Sequence, residues 1–174
     1  MNSGSNATVI NSTFYANTAP NHSAKGGGIQ LENAAGILVL DHVTIAKNKA
    51  KEGAGLWTEA GTTATLTATL VATNTPFDCF GPIVSNGSNL LGRIDGCTIT
   101  GATTGNITGG PKPVKPVKPG LAPLKDNGGP TKTHALMPGS PAINADMGTC
   151  PPPSADQRGL PRLAPCDIGA FEVQ

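Results

Sequence analysis

The sequence predicts an all-β solenoid of stacked parallel rungs, and three observations carry that expectation. A glycine-rich tetrad recurs, Gly26-Gly27-Gly28-Ile29 returning as Gly53-Ala54-Gly55-Leu56 after 27 residues. Each copy follows an alternating apolar and β-branched segment that ends in Asn. Helical spacing of apolar residues with a proper N-cap is missing from the chain, and Ala142 to Ala145 suffice for a single turn at most.

The first such segment runs Val9-Ile10-Asn11-Ser12-Thr13-Phe14-Tyr15-Ala16-Asn17 and the second Leu40-Asp41-His42-Val43-Thr44-Ile45-Ala46-Lys47-Asn48. A third, Leu66-Thr67-Ala68-Thr69-Leu70-Val71-Ala72-Thr73-Asn74, lacks the Gly-rich partner. Asn17, Asn48 and Asn74 are thus 31 and 26 residues apart, a period typical of stacked arrays. A unit of this length cannot bury its apolar face alone, but stacking on a like neighbour buries both. In-register stacking sets the three Asn residues above one another as a structural ladder, their amides bonding along the stack. The glycines suit a corner that needs positive φ and close approach between rungs.

Residues 77 to 108 continue as degenerate rungs. Pro82-Ile83-Val84 and Cys97-Thr98-Ile99-Thr100 read as short strands, with turns at Asn86-Gly87 and Asp95-Gly96. The chain divides into rungs over 1–108, a Pro/Lys-rich linker or strap over 109–120, and a closing segment over 121–174. In the strap, alternate prolines fix an extended path and forbid a helix.

Composition sets the outer limits. Twelve basic and eleven acidic residues give a net charge of +1, so no nucleic-acid partner is expected. The longest apolar stretch, Ala34 to Leu40, is too short to span a bilayer, and no transmembrane segment is expected. With aromatics at 3%, small and β-branched residues must fill the core, and 23 Gly and 16 Pro imply many turns. No cofactor and no metal site is expected. The residues after Met1 form no signal peptide, and with Val9 so near the start further rungs are expected upstream.

Four cysteines admit three pairings. Sequence-local closure, Cys79 with Cys97 and Cys150 with Cys166, is the expected one, each loop being worth about 3 kcal/mol in the chain-entropy model. Four free buried thiols are the alternative. Disulfides would indicate an oxidising compartment.

For chemistry, Asp41, His42, Lys47 and Lys49 form the densest polar cluster in the repeats. If the coil is an enzyme, Asp41, His42 and Lys47 are its catalytic candidates. Stacked positions offer Asp41 only Ile10 or Asn11 and Thr67, with no second carboxylate for acid/base work, so a solvated rung face is the default reading. His134, Asp156, Arg158, Asp167 and Glu172 are expected to cap exposed rung edges, Arg158 as a structural ion pair. Thr65, Thr67 and Thr69 alternate, but one row makes no ice-binding array. The sequons at Asn6, Asn11, Asn21, Asn86 and Asn106 are compositional.

The closing stretch, from Leu121-Ala122-Pro123-Leu124 through Asp126-Asn127-Gly128-Gly129-Pro130 and Asp156-Gln157-Arg158-Gly159 to Asp167-Ile168-Gly169-Ala170-Phe171-Glu172, resembles the C-terminal portion of bacterial secreted right-handed parallel β-helix proteins. These are the proteins described as choice-of-anchor, or polymorphic outer-membrane-like. The Asn-Ser-Thr and Gly-Gly-Gly-Ile rungs resemble the same group. Unlike that group, this chain has few rungs and an expanded Lys-Pro-Val segment, and no sorting tail is expected after Gln174. With the resemblance, the expected fold is a single-stranded right-handed parallel β-helix with a Pro-rich strap and an irregular C-terminal cap. The expected role is a non-catalytic scaffold or adhesin-like element, secreted or on a bacterial cell surface, whose partner is a glycan or cell-surface polymer. A fragment of a polysaccharide lyase or glycoside hydrolase is the alternative.

Overall fold

The structure is a computed structural model and describes residues 5–20, 24–32, 35–110 and 115–174. Among the described residues there are twelve strands and no helix. The first coil contributes β1 (Asn6–Ile10), β2 (Thr13–Tyr15) and β3 (Ile29–Leu31), and the second β4 (Ile37–Asp41), β5 (Thr44–Ala46) and β6 (Leu56–Thr58). Then follow β7 (Thr63–Thr67), β8 (Leu70–Ala72), β9 (Cys79–Asn86), β10 (Leu90–Leu91), β11 (Cys97–Ala102) and β12 (Ile107–Thr108). No described helix is long and apolar enough to cross a membrane.

All pairings between these strands are parallel, and they form three stacks. One is β1-β4-β7-β9-β11, with Ile10 on Asp41 on Thr67. A second is β2-β5-β8-β10-β12, with Phe14 on Ile45 on Val71. The third, β3-β6, ends on the first residues of β9. Since β9 serves both the first and third stacks, these merge into one curled seven-stranded sheet beside a five-stranded one. The architecture is therefore all-β and solenoid-like.

Corners explain why the chain coils. Along the edge between the first two stacks, Asn11, His42, Ala68 and Ser88 hold φ of 46°, 50°, 42° and 55°. At the next corner Ala16, Lys47 and Thr73, each just before a ladder Asn, hold 55°, 58° and 64°. One left-handed residue turns a strand sharply, and its cost is tolerated because both neighbouring rungs hold the turn in place. At the Gly-rich corner, a Cβ on Gly28 would come within 2.6 Å of Gly55 O, so close stacking there excludes any side chain.

Strand alternation fills the core. Leu38 and Leu40 of β4 and Ala64 and Leu66 of β7 point inward to meet Leu31, Ile45, Leu56, Val71 and Ile83. A second apolar cluster lies outside the coil, where Leu70, Ala72 and Leu90 pack against Leu136, Ala142, Ile168 and Phe171. The middle strands of the five-stranded sheet are thus buried on both faces, and Thr44, Ile45 and Ala46 are all buried.

The closing segment was expected to cap rung edges; it instead lies along the flank of the stack. It reaches the first coil through Ala155 and Gln157, which accept hydrogen bonds from Asn11 and Thr13, and a later one through Met147 on Ser88. The reason is the outward apolar row Leu70, Ala72 and Leu90, which must leave water. The strap extends the coil: Gly109 N donates to Leu91 O at 2.9 Å and Val117 N to Gly92 O at 2.8 Å. Residues 111–114 of the 109–120 strap, like the sequon Asn21, lie outside the described residues.

Candidate functional site

The Asn ladder runs through the second corner. Both Asn17 N and Nδ2 donate to Asn48 Oδ1 (2.9 and 3.0 Å), and Asn48 N and Nδ2 donate to Asn74 Oδ1 (both 2.9 Å). The series ends on Asp78, whose Oδ1 accepts from Asn74 N and Nδ2 at 2.8 Å. Asp78 occupies the rung position of Gly55, so an acid replaces the missing third Gly-rich corner and terminates the ladder. Asn89 and Asn106 start a second, shorter ladder, with Thr69 N on Asn89 Oδ1 and Asn89 N on Asn106 Oδ1.

Asp78 lines a cleft of about 190 Å³ together with Arg93, Pro116 and Lys118. Burial raises its pKa to about 6, against the hydrogen bonds from Asn74 and Arg93. A carboxyl raised in the folded state binds its proton more tightly than in the unfolded chain. Stability therefore falls as pH rises from about 4 to about 6, by on the order of 3 kcal/mol. Thermal melts of the parent and Asp78→Asn across this range should show the dependence in the parent and its loss in the variant. Parallel curves would sink the assignment.

The left-handed column Asn11, His42, Ala68 and Ser88 is where the closing segment docks. Arg162 donates to Asn11 Oδ1 (3.0 Å), Gly169 N to Ala68 O (2.8 Å) and Met147 N to Ser88 Oγ (2.9 Å). His42 sits in the middle, 1% exposed. Its Nδ1 lies 2.8 Å from Asp41 Oδ1 and its Nε2 3.4 Å from Asp146 Oδ2. Burial opposes protonation, but the Asp146 and Asp41 carboxylates that face its two ring nitrogens outweigh it and hold the His42 pKa above 6.5. Its contribution to stability is thus lost as pH rises through that raised value.

The rung face read as solvated is covered at His42, and the sequence-expected cluster comes apart. Asp41 and His42 stay together, half-buried and buried. Lys47 stands across β5 at the other corner, exposed, its Nζ 5.9 Å from the Tyr15 ring centroid. The second carboxylate facing His42 is Asp146, from the far end of the chain. Sequence offered no cue to it, because nothing local links positions 42 and 146.

Both sequence-local disulfides are formed, Cys79–Cys97 and Cys150–Cys166. In the closing segment Arg158 pairs with Asp156 at 2.7 Å and covers the Phe171 ring at 3.7 Å. Arg162, which sequence reasoning passed over, is buried and pairs with Glu172 at 2.9 Å. His134 is buried, its Nδ1 2.6 Å from Ala122 O and its ring 4.8 Å from Tyr15. Burial lowers its pKa, consistent with a neutral packing role.

Of the threonine row, Thr65 and Thr67 face outward, whereas Thr69, beyond the Ala68 corner, turns inward and donates to Thr67 O at 2.9 Å. Thr65 belongs to an outward column running across five strands, Thr8, Val39, Thr65, Val84 and Thr100.

Fold and site together define a class: an all-β protein of stacked parallel coils, its corner ladder buried from Asn48 onward and its flank covered by a disulfide-bearing closing segment. Comparison with protein-family models, with curated proteins and with solved structures finds no match for this chain.

Proposed function

We propose that this protein is a non-catalytic scaffold, a right-handed parallel β-helix segment of a secreted or bacterial cell-surface protein of the choice-of-anchor type, contacting a glycan or cell-surface polymer through the outward face of its strands. The observation that carries this reading is the in-register outward column Thr8, Val39, Thr65, Val84 and Thr100. Hydroxyl and methyl groups repeat there at the strand spacing of about 4.8 Å, a pattern suited to an extended, repeating polymer. The charged groups that chemistry would draw on support the reading too, since Arg158, Arg162, Asp156 and Glu172 bind one another and the backbone. Right-handedness rests on the general rule that crossovers between parallel neighbours turn that way in about 98% of cases. The two disulfides favour an oxidising compartment.

One observation favours the alternative, a polysaccharide lyase or glycoside hydrolase: Asp78, with its raised pKa, shares a cleft with Arg93 and Lys118. A glycan array paired with an activity screen on polygalacturonate and alginate separates the readings. Weak binding that Thr65→Lys or Val84→Lys removes without lowering the melting temperature is expected, with no turnover. Turnover abolished by Asp41→Asn, His42→Ala or Asp78→Asn would establish the enzyme instead.

A further inference from the structure

His42 Nε2, Asp146 carboxylate oxygen and Cys150 Sγ converge from two ends of the chain, with ligand atoms all within 4.8 Å of one another. His42 Nε2 is buried and makes no hydrogen bond, yet it faces Asp146 Oδ2 at 3.4 Å. The opposite ring nitrogen is fixed by Asp41 Oδ1 at 2.8 Å. With Nδ1–H donating to that carboxylate, the Nε2 lone pair points at a second carboxylate, and two acceptors face to face need a cation between them. A carboxylate behind a ligating histidine is the arrangement that orients imidazole for a metal. Asp146 is itself held by Gly148 N on Oδ1 at 2.8 Å, and its Oδ2 is the oxygen turned to His42.

We propose that reduction of the Cys150–Cys166 disulfide opens a divalent-metal site, with zinc held by His42 Nε2, Asp146 Oδ2 and Cys150 thiolate. In the oxidised chain the cation between His42 and Asp146 is a proton, because a disulfide sulfur is a poor ligand and the thiolate is the metal-binding form. The reductant is a dithiol. One of its thiolates attacks Cys150, the more accessible sulfur, and Cys166 leaves as thiolate. The second thiol then displaces Cys150 and closes the reductant's own disulfide, so two electrons pass to the chain. Zinc releases the Nε2 proton and the Cys150 thiol proton, and water takes the fourth position. Zinc–ligand bonds of about 2.0–2.3 Å require the three atoms to draw together by roughly 1 Å. The proposal is independent of the scaffold reading.

The test is cobalt(II) titration of the full chain, oxidised and after dithiol reduction and anaerobic removal of the reductant. Expected is a thiolate-to-cobalt absorption band at one equivalent in the reduced chain alone, displaced by zinc, with zinc raising the melting temperature of that form. The band should persist in Cys79→Ser/Cys97→Ser and vanish in Cys150→Ser. Asp41→Asn, which removes only the group behind His42, should weaken binding by about 10- to 100-fold. No thiolate band in the reduced parent, or equal binding by oxidised and reduced chains, overturns the site without reliance on any variant.

Discussion

Arg162→Ala is expected to detach the closing segment from the coil. The guanidinium is buried, donating to Glu172 Oε2 at 2.9 Å, Gly169 O at 2.8 Å and Asn11 Oδ1 at 3.0 Å. Glu172 Oε2 also accepts from Asp167 N at 3.0 Å, and burial already raises the Glu172 pKa. Removing the cation leaves that carboxylate without its counter-charge inside the protein, which costs about 3–5 kcal/mol. Urea unfolding gives the loss, and limited proteolysis should show cleavage concentrated beyond residue 120. Adding Glu172→Gln should recover part of the stability, since the double variant carries no orphan charge. A single variant within about 1 kcal/mol of the parent would show that this pair does not fasten the flank.

Ile45→Asp should abolish folding altogether. Ile45 is fully buried in the central rung between Phe14 and Val71. Truncating such a side chain costs about 2–5 kcal/mol before the charge is counted, and burying an unpaired carboxylate adds several more. Together these approach the whole stability of an ordinary domain, about 5–15 kcal/mol. Asn48→Ala is the milder companion. It leaves Asn17 N and Phe14 O short of partners, each at about 1–3 kcal/mol where burial holds, while Asn74 Oδ1 keeps the backbone N–H of residue 48. Circular dichroism and thermal melts should rank Ile45→Asp below Asn48→Ala, and both below the parent; variants melting with the parent would contradict the rung register.

The rungs were legible because their determinants are local and repeated. An alternating segment ending in Asn and a glycine tetrad recur at spacings that fix which residue stacks on which, and Asn17, Asn48 and Asn74 lie in one hydrogen-bonded series as that spacing implies. Local disulfides were legible for a similar reason, since short loops close at little entropic cost. The end of the ladder was harder to read. Asp78 stands where a glycine corner would be, and a lone Asp before Cys79 carries no sequence signal for its role as acceptor of two hydrogen bonds.

The site around His42 was hidden more deeply. Asp41 and His42 are adjacent, so their contact could be read directly, but the corner that carries them faces Asp146 only because the closing segment folds back along the flank. Lys47, five residues from His42, was grouped with it by proximity in sequence; a second left-handed corner turns it to another side.

What the sequence determined by itself is the parallel, coiled, all-β architecture and its Asn ladder, because a repeat stacks like on like and the periodicity fixes the register. What only the tertiary structure decided is the course of residues 121–174 and the groups they bring to the left-handed column. That segment has no repeat to set its register, and its position follows from covering Leu70, Ala72 and Leu90 while pairing Arg162, Glu172 and Asp146 with partners distant in the chain.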